Sequence, residues 1–329
     1  PHAPPTHAPH APPTHAPHAP PTHAPHAPPT HAPHAPPTHA PHAPPTHALH
    51  AVPTSGPPLG DTSLTSARVV IAPSLAARAT FAAAPSGCLK ILVEDLPSFR
   101  QLHADLDVAA LAHPDCRFLR RYRAPARLVA RQEAERVLAD ALLVRGRYAA
   151  EQRSGAGKPI LPLPLPRVEL ARATHAPGAR RRVLLVGLAT ARNGSMEALQ
   201  ASGDWELLVR PGEGMEPADL LSRPNVRAAR PSEIATLEGI DLVIAPAWCE
   251  SHPEELRRAA AARVPAVATH RAAGWLDVTE IPPGNPSVLR AAAERARPPE
   301  PGATDPAAAL QSLIRGEADR RMLAVPLEG

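Results

Sequence analysis

Residues 181–199 read RRVLLVGLATARNGSMEAL. Val183, Leu184, Leu185 and Val186 are apolar without alternation, the pattern of a strand buried on both faces. Gly187 ends the run, and a helix is expected over 193–201 after a short turn. Working outward, the same sequence of events repeats. WELLVR (205–210) reads as a strand, a helix is expected near 217–222, and NVRAA (225–229) reads as a further strand. SEIATLEG gives a short helix before IDLVIAP (240–246), a second fully apolar strand. A helix over 252–262, the strand VPAVATH (264–270), VTEIPPG and a helix over 286–296 complete the series. Strands alternating with helices, and strands apolar on both sides, predict a parallel, doubly wound sheet.

Upstream of 181 the pattern is similar but shorter. RVVIAP, ending at Pro73, reads as a strand, with Ser74 as a helix cap and a helix through Ala84. KILVED (90–95) is a strand. Pro97 then opens a helix carrying Phe99, Leu102, Leu106, Ala109 and Ala110 at helical spacing. A third helix runs from Ala124 to Asp140, with Ala130, Ala134, Val137, Leu138 and Ala141 as its expected buried stripe. ALLVRG (141–146) is a strand, followed by a short helix and the Pro-punctuated exit KPILPLPLP. The fold class is therefore α/β, with two Rossmann-like parallel-sheet units, the first incomplete. The division is 1–60 repeat and linker, 61–175 first unit, 176–297 second unit, and 298–329 a link and a C-terminal helix. Ligands of such sheets sit at the carboxyl ends of strands, where helix N-termini offer free N–H groups, and two facing units make a cleft.

Residues 1–48 are six copies of PHAPPTHA. Proline at three of every eight positions removes backbone donors and fixes φ near polyproline II. No large apolar side chain precedes Leu49, so an extended, solvated, disordered segment is expected. Thirteen histidines in residues 1–50 permit metal binding, because imidazole suits zinc, copper or nickel. A stiff extended chain spreads such ligands apart, and perfect repetition fits a translated tandem DNA repeat, so a plain linker is the preferred reading.

The formal net charge is +4, and all charged side chains lie outside the repeat. That excess is too small to argue for nucleic acid. Lys90 and Lys158 are the only lysines, so the basic charge is arginine. Cys88, Cys116 and Cys249 are too sparse and irregular for a disulfide framework or a zinc site. No apolar run approaches a membrane span and no signal-peptide pattern opens the chain, so a cytoplasmic protein is the default expectation.

The second unit resembles the donor domain of GT-B glycosyltransferases, in particular the retaining group 1 (family 4-like) type. The resemblance rests on VLLVGLATARNGSMEAL, on NVRAA, SEIATLEG and DLVIAPAW in order, and on Glu250 followed by SHPEELR, Arg258 and AAAARVPAVATH. AERVLADALLVRGRYAAEQ is similar to the segment closing the family's acceptor domain, and 305–324 suits its C-terminal helix packing back on the first domain. The resemblance implies a nucleotide-sugar donor as co-substrate, an unidentified acceptor and no separate cofactor or metal. It makes Glu250 the residue that bonds donor-sugar hydroxyls, and it surrounds the diphosphate with Gly187, Arg192 and Gly194. Four positions depart from the family pattern. Leu188 stands for its Arg, Asn193 for its Lys, Arg258 for its second Glu and Arg263 for a helix-ending Gly. A cation at Arg258 cannot accept ribose hydrogen bonds, so Glu254 and Glu255, one turn earlier, are the candidates to replace it. The chain is read as divergent, with an acceptor domain short of its opening strand and Gly-rich turn.

Other motifs carry less. SGAGKP (154–159) lacks the first glycine of a phosphate loop and is followed by Pro rather than Ser/Thr. VGLATARNG lacks GxGxxG, which sets aside a nicotinamide cofactor. His113 and Cys116 are two ligands, which do not make a metal site. Arg120, Arg121 and Arg123 read as a solvated face, with contact to an acceptor phosphate or peripheral contact to an acidic lipid surface as the lesser reading. The rival to an enzyme is a scaffold or binding protein, or a decayed gene product, that keeps the fold without the donor site.

Overall fold

The computed structural model describes residues 68–165, 168–171, 180–250, 254–301 and 306–323. The repeat and linker lie outside the described residues, as do Ser251–Pro253.

The first unit is built from β1 (Val69–Pro73), α1 (Ala77–Ala83), β2 (Leu89–Glu94), α2 (Phe99–Ala112), α3 (Ala126–Leu138), β3 (Ala141–Val144), α4 (Arg147–Arg153) and β4 (Ile160–Pro162). Its sheet has the order β1-β2-β3-β4, every pair parallel. The sheet spreads from β1 in one direction only, which is half of the doubly wound plan. Val70, Ala72, Leu92, Leu142 and Val144 face Phe81 of α1 and Ala149 of α4. Leu89, Ile91, Ala141 and Leu143 point the other way, where Leu310, Leu313 and Ile314 pack on them. Those three residues belong to α9 (Pro306–Leu323), so the C-terminal helix supplies the second layer that a parallel sheet requires.

The second unit contains β5 (Arg182–Leu188), α5 (Ser195–Ser202), β6 (Glu206–Arg210), β7 (Val226–Ala228), α6 (Pro231–Thr236), β8 (Leu242–Ala245), α7 (Glu254–Ala262), β9 (Ala266–Thr269), β10 (Leu276–Asp277), β11 (Thr279–Ile281), α8 (Pro286–Glu294) and β12 (Glu300–Pro301). Six strands form one parallel sheet in the order β11-β9-β8-β5-β6-β7. Numbered within the unit, that is the 3-2-1-4-5-6 order of a dinucleotide-type fold. Along β5, Val183 and Leu185 face the layer holding Ala198 and Leu289, and Leu184 and Val186 face the layer holding Leu256 and Ala259. Helices therefore cover both faces, and the unbroken apolar run of β5 follows. The chain order reverses between β5 and β8, so the crevice opens at their carboxyl ends.

Several local expectations are corrected. Ser74 does not cap α1, whose N-cap is Ala76; Ser74 is buried and its N–H bonds the Val93 carbonyl at 2.8 Å. Of the expected buried stripe of α3, Ala141 is buried but belongs to β3, and the helix itself buries other residues. Val137 is 77% and Leu138 41% exposed, while Gln132 and Glu135 are buried. The reason is hydrogen bonding: Gln132 Oε1 accepts from the Phe99 N–H at 2.8 Å, and Glu135 Oε2 accepts from the Leu75 N–H at 2.5 Å. The exit KPILPLPLP contains β4, and the helix expected near 217–222 is a single 3₁₀ turn, Leu220–Ser222. In SGAGKP, the Lys158 ammonium donates to the carbonyls of Arg136, Val137 and Ala139, which caps the end of α3.

Candidate ligand cleft between the sheets

The loops that follow β5 and β8 interlock. Gly194, with φ +80°, sits where an added Cβ would collide with the Pro246 carbonyl, so both its backbone conformation and its surroundings require glycine. The Trp248 N–H donates to the Arg192 carbonyl at 2.9 Å. Gly187, with φ +76°, leaves room for Asn193, whose Nδ2 donates to the Leu188 carbonyl at 2.8 Å. The N–H groups of Gly194 and Ser195 are taken by Ala191 and Thr190 carbonyls. This loop thus satisfies itself, and the Arg192 side chain is its cationic contribution to the crevice.

The first unit closes the crevice from the other side. Phe99, Leu102, Leu106 and Leu119 form one cluster with Ala191, Trp248 and Cys249. Gly146 packs on Gly274, where an added Cβ would come within 2.8 Å of the Gly274 Cα. His113 Nε2 meets Glu197 Oε1 at 2.6 Å, and the Trp248 indole N–H donates to the same oxygen at 2.8 Å. The Glu197 bond is the main cause raising the His113 pKa. Asp105 accepts from the Tyr148 hydroxyl at 2.8 Å and lies 3.4 Å from Arg271.

A cavity of about 340 Å³ lies between the two sides. The first unit contributes Leu96, Pro97, Phe99, Leu102, Tyr122 and Arg145, and the second contributes Arg192 and Glu250. The Arg192 guanidinium stands 5.5 Å from the Tyr122 ring centroid, and its Nη2 reaches the Glu250 carbonyl at 3.5 Å. Glu250 Oε2 is 3.9 Å from Arg153 Nη1. Arg153 is ion-paired with Glu94, which also accepts from Arg136 and is fully buried at its side chain. Burial pushes the Glu250 carboxyl up to about 7; Arg153 opposes the rise and the Glu94 charge adds to it. Glu250 Oε1 and Arg192 Nε are buried and have no hydrogen-bond partner among the described residues. Such atoms are what a polar ligand would satisfy.

Of the residues singled out from sequence, Glu250 and Arg192 come together in this cavity, and Gly187 and Gly194 shape the loop beside it. Glu254 and Glu255 do not line it. Glu254 pairs with Arg257 at 2.9 Å and Arg258 at 3.5 Å. Glu255 pairs with Arg210, at the end of β6, at 3.2 Å. Arg145, Tyr122, Phe99 and Arg153 were not anticipated. Arg145 had a readable signal, since it directly follows the strand in ALLVRG. A larger groove of about 1090 Å³ runs along the outside of α2 between Leu106, Ala110, Leu111, Arg117, Arg120 and Arg123. No strand end of either sheet opens into it. Among the described residues no helix is long and apolar enough to cross a membrane.

No protein-family model matches the chain, and no curated protein matches it. Among solved structures it is similar to sucrose-phosphate synthase from Thermosynechococcus elongatus, at 15% identity and a TM-score of 0.47, over 78% of this chain and 74% of that one. A Listeria monocytogenes protein assigned as a UDP-N-acetylglucosamine 2-epimerase aligns at 15% identity and a TM-score of 0.42, over 77% and 75% of the two chains. The calicheamicin glycosyltransferase CalG4 aligns at 15% identity and a TM-score of 0.31, over 77% and 68%. At these values none of the three assigns an activity to this chain.

Proposed function

We propose that this chain is a glycosyltransferase of the retaining GT-B kind, moving a sugar from a nucleoside-diphosphate donor to an acceptor hydroxyl. The observation that carries the reading is the convergence of Glu250 and Arg192, from the two loops at the switch point, on one cavity walled by the other unit. In this reaction the acceptor oxygen bonds to the anomeric carbon as the bond from that carbon to the diphosphate breaks. The electron pair leaves with the nucleoside diphosphate, whose growing charge Arg192 stabilises, and the acceptor proton leaves with it or with solvent. Glu250 holds donor hydroxyls. With Gly194 and Ser195 N–H groups already bonded, the arginine carries more of the phosphate charge than the loop backbone does.

A second reading is a protein that binds the donor without transferring it. It is favoured by two positions where the resemblance implies donor contacts. Asn193 is turned to the Leu188 carbonyl, and Arg258 is paired with Glu254. Calorimetric titration of the chain with UDP-, GDP- and ADP-glucose separates these readings. Micromolar binding of one donor, lost in Glu250→Ala and Arg192→Ala, with release of nucleoside diphosphate in the presence of acceptor, supports the enzyme. Binding without release supports the second reading. No binding by a cooperatively melting protein rejects both. For partners beyond the donor and acceptor, we propose peripheral contact of the α2 groove with an acidic membrane surface, because Leu111, 84% exposed, stands beside Arg117, Arg120 and Arg123.

A further inference from the structure

The segment that delivers Glu250 to the cavity is fixed through Trp248, two residues earlier and buried. The Trp248 backbone N–H donates to the Arg192 carbonyl at 2.9 Å, so this one residue sets the spacing of the two loops that carry Arg192 and Glu250. Its indole N–H donates to Glu197 at 2.8 Å, and its carbonyl accepts from Arg271. Both anchors belong to the second unit, and each is held in turn by α2 of the first. Arg271 lies 3.4 Å from Asp105, within that helix. Glu197 lies 2.6 Å from His113, the residue at the C-cap of the same helix.

The His113 contact carries a charge requirement. Glu197 is buried in the first turn of α5. Its Oε1 takes both the His113 and the Trp248 contacts, and its Oε2 is buried with no hydrogen-bond partner among the described residues. A carboxylate so placed stays ionised only beside a countercharge. The indole supplies none. Among the described residues the ion pair of Glu197 is with His113, so the imidazolium supplies it. The end of α2, where the last carbonyls lie, also favours a cation. Around His113 stand Glu197 on α5, Glu216 on the loop after β6 and the Trp248 ring, edge-on at 5.8 Å. The Glu197 bond raises His113, burial opposes it, and the Glu197 and Glu216 charges add to the rise. Asp115 and Cys116 follow in the chain, and burial pushes the Cys116 thiol up to about 11, so it stays neutral.

We infer that His113, as an imidazolium, is a positioning residue of the cavity: it holds Glu197 on the Trp248 indole and so fixes the segment bearing Glu250 against the loop bearing Arg192. This role rests on reading Glu250 and Arg192 as the donor-binding pair. The donor site of the second unit is thereby organised from α2 of the first, and the hold is released as pH rises. Because the fold raises His113 above its ordinary 6.5, the contribution is complete below that value and is lost as pH climbs through the raised one.

The test follows the indole N–H resonances of the three tryptophans in the nitrogen-15-labelled full chain as pH is raised from below 6 to above 9, with Trp248 assigned by its loss in Trp248→Phe. The Trp248 signal should titrate with a midpoint above 6.5 that is absent from His113→Gln, a variant that keeps an N–H donor and removes the charge. Calorimetry with UDP-, GDP- and ADP-glucose reads the consequence for the site. Native affinity for the donor should exceed that of His113→Gln about fivefold in the acid range, and the ratio should fall to one in the alkaline range. Glu250 titrates in both proteins, so the ratio isolates His113. A Trp248 resonance that ignores His113 overturns the inference whatever the donor does. Donor binding that Glu250→Ala abolishes and His113→Gln leaves unchanged at every pH overturns it and leaves the transferase reading intact. Titration of Trp248 with His113 in a chain that binds no donor removes the donor site, and the positioning role falls with it. Should His113→Gln fail to fold, the native chain still decides: the imidazole in nuclear Overhauser contact with the Trp248 indole must share its midpoint, and separate midpoints overturn the inference.

Discussion

Glu250→Gln isolates the electrostatic cost at the centre of the cleft. Glu250 is 9% exposed and its carboxyl is pushed from an ordinary 4.5 up to about 7, chiefly by burial. In the unfolded chain the group releases its proton near 4.5, while the folded chain holds it to about 7. Between those values the folded state binds more protons than the unfolded state, so stability falls as pH rises through that window. A rise of that size corresponds to roughly 3 kcal/mol. Below pH 4.5 the protonated acid and the glutamine are nearly isosteric and equally uncharged, so the two proteins should have similar stability. Above pH 7.5 the variant should be more stable than the native chain by a gap about 3 kcal/mol larger than at pH 4.5. Urea unfolding of both proteins at half-unit steps from pH 4.5 to 8.5 measures the gap directly. Comparing the two proteins cancels titrations elsewhere, including that of His113. A gap that stays constant across the range would refute the argument, because it would mean that Glu250 ionises in the fold as it does in water. The same comparison carried down to pH 3 would show Arg153 outweighing burial as a change of opposite sign, with the native chain gaining on the variant between pH 3 and 5.

Gly194→Ala should destabilise the chain by about 3 kcal/mol, combining a left-handed φ with a collision at Pro246, as read by thermal or urea unfolding. The same variant should also lower donor affinity, since it pushes the Arg192 and Glu250 loops apart. Arg263→Gly should stabilise by about 1 kcal/mol, because Arg263 ends α7 at φ 59°, a conformation that glycine adopts without a Cβ penalty. An unchanged or lowered midpoint would show that the arginine side chain repays its backbone strain. Replacing Arg117, Arg120 and Arg123 together by Ala should weaken sedimentation with vesicles containing phosphatidylglycerol by roughly a hundredfold at low salt. Native protein that ignores anionic and neutral vesicles alike would remove membrane contact from the proposal.

The second sheet was legible because its signal is a matter of burial. A strand covered by helices on both faces must be apolar at every position, so VLLV before Gly187 and LVIA before Pro246 declare themselves without alternation. The face of α3 was not legible by the same rule. Gln132 and Glu135 are buried because they satisfy backbone donors at Phe99 and Leu75, and hydropathy counts such residues as solvent-facing. Val137 and Leu138 were misread for the complementary reason, since their apolarity says nothing about whether a partner surface lies opposite them. The Arg263 position shows a third limit. Its left-handed backbone is set by the end of α7 and the start of β9, and the geometry persists although the residue type that would announce it is absent.

The cleft divides along the same line. Glu250 and Arg192 were named through the family resemblance, and both follow strands at the switch point of one unit, where order along the chain predicts neighbourhood in space. Their electrostatic setting was not legible, because it is assembled across units. The charge that raises Glu250 is Glu94, at the end of β2, and the cation that opposes it is Arg153, on α4. About 100 residues or more separate either from Glu250, and no local spacing links them. The consequence reaches the chemistry. A carboxyl whose ionisation depends on two groups of the opposing unit is tuned only while the units are packed together. Loss of the contacts among Phe99, Leu102, Ala191 and Trp248 would admit water to Glu250 and return it toward ordinary acidity. The apolar seam between the sheets therefore sets the protonation state at the cavity as much as the charged residues do.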